Sequence, residues 1–311
     1  MDPIICVVGP TASGKTKLAV QLAKLYNGEV VSCDSMQIYR HMDIGTAKPT
    51  QEEMDGVVHH MIDIVEPGED FSVGKYVQMA DGCVQDILSR GKTAVIAGGT
   101  GLYVDSLITG RVFAPTPSTG KRAQLEAQMR LEGGAVMLDR LRAVDPDAAA
   151  RLHPADEKRI IRALEVYQET GKTITQHNLE TQSLPPRYQP CWIGLDYMDR
   201  AVLYGRIDLR VELMLQAGLL DEIRSLLARG ISPQTTAMQA IGYKEFFSAL
   251  DGSCSLQEAA ALVQQRSRNY AKRQLTWFRR NPDIRWLRLS GQESFDEILA
   301  SARQEIPFFA S

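Results

Sequence analysis

The chain has 311 residues, of which 44% are hydrophobic, and a formal net charge of −3. This is enough apolar material for one large domain or two ordinary ones, and the near-neutral charge argues neither for nor against a nucleic-acid partner. The five cysteines form no C-x-x-C pair, no apolar run approaches the roughly 20 residues of a membrane span, and no signal-peptide pattern is visible. We therefore expect a cytoplasmic protein with no membrane partner, no zinc finger and no disulfide framework.

The N-terminal part of the chain alternates between short apolar runs and helical periodicity. Such alternation is typical of a parallel sheet whose strands are joined by helical crossovers. The predicted strands span residues 3–9, 29–33 and 93–97, and the predicted helices span 14–26 and 72–90 and begin again near Leu102.

The pattern changes at Pro115 and Pro117. From about residue 118 to 183 only helical periodicity is visible, and further prolines at 185, 186 and 190 close this stretch. We interpret residues 113–190 as a helical domain inserted into an α/β core formed by residues 1–112 and 191–311. The predicted elements that follow are a strand at 191–195, helices at 199–229, 238–250 and 255–280, a strand at 284–289 and a last helix.

Residues 9–16, which we call the phosphate loop, fit the pattern G-x-x-x-x-G-K-[ST] between a strand and a helix. Backbone N–H groups and the positive helix terminus would hold phosphate oxygens, with Lys15 as a mobile cation and Thr16 as a magnesium ligand. A glycine-rich turn without a ligand is the alternative, which the strand–helix context disfavours. The loop residues are Gly9, Pro10, Thr11, Ala12, Ser13, Gly14, Lys15 and Thr16.

Asp34 follows the second predicted strand, at the sheet edge where ligands of open α/β folds bind. The strand at 93–97 ends in Gly98-Gly-Thr-Gly101, without the carboxylate that P-loop hydrolases carry there. Asp34 could instead cap the following turn, and Thr100 could be a turn or helix-capping residue. These two residues leave a small-molecule kinase and a non-kinase transferase both open.

A basic, aromatic helix is predicted over residues 264–280, with six bases and no acid. Unpaired like charges four residues apart destabilise a helix, so we expect the arginines to meet a phosphate backbone. Trp277 and Phe278 are expected to pack on the core. A smaller cluster at residues 158–162 could bind RNA or pair with Asp156, Glu157 and Glu165. The six bases are Arg266, Arg268, Lys272, Arg273, Arg279 and Arg280.

Several segments, in this order along the chain, resemble the tRNA dimethylallyltransferase (tRNA isopentenyltransferase) family. The resemblance runs over almost the whole chain and is closest to the bacterial form, because the C-terminal zinc finger of eukaryotic members is absent. The segments are residues 9–16, 34–39, 42–49, 59–63, 98–103, 159–165, 239–244 and 270–274.

The resemblance implies transfer of a dimethylallyl group from dimethylallyl diphosphate to the exocyclic amine of the adenine 3′-adjacent to the tRNA anticodon. It implies Mg²⁺ as cofactor, a diphosphate held by the phosphate loop and Arg210, Asp34 as general base and Thr100 as an orienting residue. We expect the protein to act as a monomer. The implied contacts with the tRNA anticodon stem-loop are Asp34, Ser35, Met36, Gln37, Thr100, Arg122, Lys158, Arg159, Ile160, Ile161, Arg162, Gln239, Ala240, Ile241, Gly242, Tyr243 and Lys244, and the inserted domain is expected to bind that stem-loop.

Two other functions remain at this stage. A nucleotide or small-molecule kinase would use the inserted domain as a lid, but would leave the helix at 264–280 without a role. A P-loop nucleic-acid-binding module without transfer chemistry would have no need for Asp34 beside the phosphate site.

Overall fold

The computed structural model describes residues 2–111, 113, 119–182 and 185–306. Six strands form one sheet in which every pair is parallel, in the order β3-β2-β4-β1-β5-β6. This confirms the predicted α/β fold with a parallel, P-loop-type core. The strands are β1 (Pro3–Val8), β2 (Gly28–Ser32), β3 (His59–His60), β4 (Thr93–Gly98), β5 (Gln189–Tyr197) and β6 (Arg285–Leu289).

The central strand β1 is buried almost throughout, with Ile4 to Val8 inaccessible to solvent. A parallel sheet is covered on both faces, so its central strands are continuous apolar runs, which is why their positions follow from the sequence. The edge strand β3 was not predicted, because two histidines provide neither an apolar run nor an alternating pattern.

The helices before residue 110 cover the sheet and connect its first strands. Helix α1 opens directly from the phosphate loop, and its apolar face, including Leu18 and Leu22, packs into the main core cluster. Among the described residues, no helix is long and apolar enough to cross a membrane. These helices are α1 (Lys15–Leu25), α2 (Gln51–Met54), α3 (Val73–Ser89) and α4 (Gly101–Thr109).

Residues 109–186 form a separate compact unit, which we call the helical lobe, and residues 1–108 and 187–311 form the other unit. Residues 187–190 fall in the core unit because β5 already begins at Gln189, whereas Pro115 and Pro117 lie outside the described residues. Leu125, Met129, Leu141 and Ile160 belong to the lobe's own apolar core. The lobe contains α5 (Lys121–Val144), α6 (Pro146–Ala149), α7 (Glu157–Thr170) and α8 (Ile174–Gln182).

The C-terminal helices differ from the prediction at two places. The helix predicted over residues 199–229 is two helices, which are separated at Gly218. The helix predicted over 238–250 is wrong for residues 238–243, which form turns before a short 3₁₀ turn at Lys244–Phe246. The helices are α9 (Arg200–Gln216), α10 (Leu219–Ala228), α11 (Phe247–Leu250), α12 (Leu256–Phe278) and α13 (Phe295–Gln304).

A buried carboxylate connects β2 to neighbouring segments near the N-terminal ends of the strands, whereas the phosphate loop lies at their C-terminal ends. Glu29, whose side chain is 3% exposed, accepts hydrogen bonds from Arg90 (2.6 Å), Lys92 (2.7 Å) and His60 (2.7 Å). The bond from Arg90 is the largest cause of a Glu29 pKa well below the ordinary value, and Lys92 and His60 act in the same direction against desolvation. Because the folded-state pKa is lowered, this carboxylate stabilises the fold above the unfolded-state pKa and loses that contribution in acid.

We predict that Glu29→Gln lowers the free energy of unfolding at pH 7 by about 2–3 kcal/mol, somewhat less than for a fully buried pair because the cations are partly exposed. The deficit relative to the unaltered protein should shrink as the pH falls below the ordinary glutamate pKa of 4.5. Urea unfolding at a series of pH values measures both effects. Glu66→Gln, which removes the half-exposed pair with Arg40, is the control and should change stability by less than about 0.5 kcal/mol. A deficit that is the same at pH 7 and in acid would contradict the assignment.

Candidate active site

The phosphate loop connects β1 to α1 and lies at the C-terminal ends of the strands. Gly9 has φ 145°, and a Cβ there would lie 2.5 Å from the carbonyl oxygen of Leu195, so only glycine fits. The hydroxyl of Ser13 is buried and has no hydrogen-bond partner among the described residues. A buried polar atom without a partner is costly, and a phosphate oxygen bound in the loop would satisfy it.

Two cations converge on this loop. Lys15 donates from Nζ to the carbonyl oxygen of Pro10 at 2.6 Å, and Arg210 of α9 donates to the hydroxyl of Thr11 at 3.1 Å. Desolvation and the neighbouring Arg210 charge lower the pKa of Lys15 to about 7, and Asp34 opposes them. A second charge of the same sign beside a desolvated lysine favours an anionic ligand that would neutralise both.

Asp34 follows β2 and lies beside the two cations. Its Oδ1 accepts hydrogen bonds from the backbone N–H groups of Met36 (2.8 Å) and Gln37 (3.4 Å). The turn-capping geometry considered from the sequence is therefore present, and the same carboxylate also lines a cavity. Desolvation raises the Asp34 pKa above its ordinary value, which makes it a better proton acceptor than an exposed carboxylate.

Thr100 connects the turn after β4 to the segment after β2. Its hydroxyl oxygen accepts a hydrogen bond from the backbone N–H of Ser35 at 3.1 Å, and its own N–H donates to the carbonyl of Cys33 at 3.1 Å. On α12, burial raises the pKa of the Tyr270 hydroxyl to about 12, and hydrogen bonds with Thr100 and Gln274 act in the opposite direction. Thr100 is thus held between β2 and α12.

A cavity of about 290 Å³ opens beside Asp34 and Arg210. Its lining combines these charged groups with apolar side chains such as Val211, Met214 and Ile241, so the cavity suits a ligand with a charged head and a hydrocarbon tail. It is lined by Thr11, Asp34, Ser35, Met36, Gly45, Thr46, Ala47, Ile207, Arg210, Val211, Met214, Gln239, Ala240, Ile241, Gly242, Val263, Ser267, Tyr270 and Arg273.

Tyr243, one of the predicted tRNA contacts, lies in the core beside this cavity. The side chain of Tyr243 is fully buried, and its hydroxyl donates to Glu222 Oε1 at 2.7 Å. Its ring therefore packs in the core, and the predicted RNA contact of this residue stays a prediction.

Gln37 stabilises the loop at the cavity wall, since its amide donates to the carbonyl of Ala47 at 3.0 Å.

Glu222 of α10 shapes the cavity wall without lining it. Its carboxylate accepts hydrogen bonds from the backbone N–H groups of Asp43 (2.7 Å), Ile44 (2.8 Å) and Gly45 (3.1 Å), in addition to the Tyr243 hydroxyl. These bonds hold the loop at residues 43–47 against the rest of the pocket. Nothing in the local sequence around Glu222 signals this role, because its three backbone partners lie about 180 residues earlier.

In the helical lobe, two predicted arginines converge on one acid. Arg122 and Arg162 both pair with Glu165, at 3.3 and 2.8 Å, and the Glu165 side chain is 3% exposed. The side chains of Ile160 and Ile161 are buried in the lobe core, and their predicted RNA contacts stay predictions. Lys158 and Arg159 remain exposed, with a long 3.7 Å pair from Arg159 to Asp156.

The expectation of unpaired arginines over residues 264–280 was wrong for three of them. Acids from other elements reach them, which the helix sequence alone does not reveal: Arg266 pairs with Glu245 (2.6 Å), Arg268 with Asp208 (2.5 Å) and Arg279 with Asp196 (2.9 Å). Arg273 instead lines the cavity. The packing of the two aromatic residues is confirmed, since Phe278 is buried and Trp277 donates to Asp105 at 2.7 Å.

Sequence reasoning gave no role to two side chains that hold the phosphate loop from outside. Gln274 accepts a hydrogen bond from the N–H of Thr11 at 2.8 Å, and Arg206 donates to the carbonyl of Ala12 at 2.9 Å. Only the position of Gln274 could have indicated its role, because it lies on the same helix as the cavity residues Tyr270 and Arg273.

The fold and the site together define a P-loop protein with a buried carboxylate next to its phosphate loop. Residues 37–281 match the family model described as IPP transferase, and residues 3–65 match that of isopentenyl transferase. The chain belongs to the tRNA dimethylallyltransferase family.

Relatives with that name include the protein of Geobacter sulfurreducens, 48% identical over 95% of this chain and 94% of its own length. The protein of Thermoanaerobacter sp. strain X514 is 46% identical over the same shares. The crystal structure of tRNA isopentenylpyrophosphate transferase from Bacillus halodurans is 42% identical, with a TM-score of 0.73 over 100% of this chain and 98% of its own. A eukaryotic dimethylallyltransferase captured acting on tRNA is 30% identical, with a TM-score of 0.84 over 98% of this chain and 78% of its own.

We predict that Lys15 takes up a proton when an anionic phosphate ligand binds. With a pKa of about 7 in the free protein, Lys15 is mostly neutral at about pH 8.5, and a bound anion would favour its charged form. Inorganic pyrophosphate is the probe, and calorimetry in buffers of different ionisation enthalpy measures the proton count. Lys15→Arg, which keeps a permanent charge, is the matched control and subtracts the protons of pyrophosphate itself.

The excess uptake over Lys15→Arg should approach one proton per site at about pH 8.5 and disappear near pH 6, where Lys15 is already charged. Equal uptake by the two proteins at both pH values would contradict a neutral lysine in the free loop.

Proposed function

We propose that this protein transfers the dimethylallyl group of dimethylallyl diphosphate to the exocyclic amine of the adenine 3′-adjacent to the anticodon of tRNA. The observation that carries the proposal is the cavity in which Asp34 faces the phosphate loop and Arg210 beside an apolar section. This one cavity offers groups for a leaving diphosphate, for a hydrocarbon group and for the proton of the incoming amine.

The donor's diphosphate would lie on the phosphate loop. The loop N–H groups, the positive end of α1, Lys15 and Arg210 all favour negative charge there. The C–O bond of an allylic diphosphate breaks toward a stabilised carbocation, and these groups neutralise the charge that develops on the diphosphate. The five-carbon group would then occupy the apolar section near Val211 and Ile241.

The acceptor amine is a weak nucleophile, because its lone pair is delocalised into the adenine ring. As the new N–C bond forms, the nitrogen becomes acidic and its proton passes to Asp34. Thr100, which is fixed by Ser35 and Tyr270, would orient the reacting groups. The adenine has to leave the anticodon stack to reach this cavity.

The tRNA would be read by exposed groups in both units of the chain. In the core unit, Arg273 and residues 239–242 line the cavity where the flipped base enters. In the helical lobe, the exposed Lys158 and Arg159, together with Arg122 and Arg162, which share Glu165, form a basic cluster suited to phosphate contacts. We propose that the lobe binds the anticodon stem-loop.

A magnesium ion would fit beside the phosphate loop, where the diphosphate of the prenyl donor would bind. A small cavity beside the phosphate loop is lined by the polar residues Thr16, Ser32, Gln37 and His59 and by apolar residues, and Thr16 and Ser32 offer hydroxyl oxygens. The described residues hold no cluster of three or more His, Cys, Asp or Glu side chains, so the protein would supply few ligands itself. Mg²⁺ prefers such sites, with phosphate and water oxygens as its other ligands, and would neutralise charge on the diphosphate. Thr16 would hold it through its hydroxyl.

Transfer of label tests the proposal. The protein is mixed with labelled dimethylallyl diphosphate and unmodified tRNA, and the RNA is digested to locate the label. The proposal expects label on the adenine 3′ to the anticodon, with release of one diphosphate per transfer. Absence of label from the RNA would refute it.

We predict that Asp34→Asn lowers the single-turnover rate at saturating tRNA by at least about 100-fold, since general-base catalysis contributes about 10²–10⁴-fold. Asparagine keeps the size and the acceptor for the Met36 and Gln37 N–H groups, so the tRNA Kd should change little. The unaltered protein should lose rate as the pH is lowered through the raised pKa of Asp34, and the variant should lack that acid limb.

Asp55→Asn, a change at a surface pair with Lys24, is the control and should leave rate and affinity unaltered. If Asp34→Asn binds tRNA poorly and keeps its bound-state rate, Asp34 positions the RNA and another group removes the proton.

A further inference from the structure

Gln274 of α12 uses both ends of its side-chain amide. The residue is 5% exposed, its Oε1 accepts a hydrogen bond from the N–H of Thr11 at 2.8 Å, and its Nε2 donates to the carbonyl of Gly99 at 3.0 Å. Thr11 belongs to the phosphate loop, and Gly99 directly precedes Thr100. One buried amide therefore connects the phosphate loop, where the prenyl diphosphate would bind, with the turn that carries Thr100, where the adenine would bind.

The turn after β4 packs closely against the side-chain amide of Gln274. A Cβ at residue 99 would lie 2.1 Å from Nε2 of Gln274, so glycine allows the backbone to approach closely enough for the bond. On the other side, the Thr11 hydroxyl accepts from Arg210. A continuous set of hydrogen bonds thus runs from Arg210 through Thr11 and Gln274 to the turn that carries Thr100.

We propose that Gln274 is a positioning residue that sets the distance between the bound diphosphate and the Thr100–Asp34 side of the cavity. It acts through Thr11 and Gly99 rather than by touching the substrates. Since a displacement of about 1 Å between reacting groups can cost about 100-fold in rate, its loss should slow transfer more than it weakens either substrate's binding. The kinetic part of this inference rests on the proposed function.

Two substitutions separate hydrogen bonding from packing. Gln274→Met fills a similar volume but makes neither of these hydrogen bonds, nor the one with the Tyr270 hydroxyl. Gln274→Glu accepts from Thr11 when ionised but places a negative charge against the Gly99 carbonyl. When protonated, the carboxylic acid has both an acceptor oxygen and an O–H donor, so both bonds can form again.

The transfer rate of each variant is measured with bound tRNA in single turnover, from about pH 8.5 to pH 6, and divided by the rate of the unaltered protein. This ratio cancels the titration of the groups common to both proteins. The charged or titratable groups near this position are Tyr270 and Arg273 on α12, Lys15 on α1, Asp34 after β2, Asp105 on α4 and Arg210 on α9.

We expect both variants to be about 30- to 100-fold slower at about pH 8.5, with Kd values for tRNA and pyrophosphate within about threefold of the unaltered protein. The ratio for Gln274→Glu should rise at least about fivefold toward pH 6, whereas that for Gln274→Met should stay flat. Equal ratios for the two variants at every pH, or a loss confined to substrate binding, would overturn the proposal.

A measurement on the unaltered protein keeps the inference testable if the variants do not fold. The Thr11 amide should be protected from hydrogen exchange both before and after pyrophosphate binding, because its partner is Gln274 and not the ligand. Free exchange of this amide, or protection that appears only with pyrophosphate, would overturn the inference. Absence of transfer by the unaltered protein would refute the proposed function alone, since the exchange test does not depend on it.

Discussion

The site depends on a phosphate loop that is held in position by side chains from distant parts of the chain. Its own backbone supplies N–H groups and a helix terminus, but its Thr11 and Ala12 are fixed by Arg210, Gln274 and Arg206. Because α9 and α12 follow the lobe in sequence, the loop becomes fully braced only once the second half of the core has folded onto the sheet. Preorganised charge of this kind stabilises a leaving anion without reorganisation during the reaction.

The parallel sheet explains why the remaining groups lie together. β2, β4 and β1 are neighbours, so the residues that follow them, Asp34, Thr100 and the phosphate loop, meet at one edge. A carboxylate and a cationic cradle are thereby held a short distance apart in a desolvated cavity, which raises the pKa of Asp34 and lowers that of Lys15. Both shifts move proton transfer toward neutral pH, where a weak amine nucleophile needs assistance.

Local patterns predicted the central strands, the phosphate loop and Asp34, because buried parallel strands and glycine-rich loops leave strong signals in a short stretch of sequence. Contacts between distant segments were beyond such reasoning. The acids that pair with Arg266 and Arg268 lie on other elements, and the Glu222 carboxylate serves a loop about 180 residues away. The burial of Tyr243 and its hydrogen bond to Glu222 were likewise not visible in the sequence around it.

The central claim is that the phosphate loop serves a prenyl diphosphate rather than a nucleotide, since β4 ends in glycines and a threonine where P-loop hydrolases carry a carboxylate. Competition between labelled dimethylallyl diphosphate and ATP for the magnesium-loaded protein tests it most directly. The account predicts that dimethylallyl diphosphate binds, that ATP displaces it poorly, and that ATP is not hydrolysed when tRNA is absent. Tight ATP binding with tRNA-independent hydrolysis would contradict it.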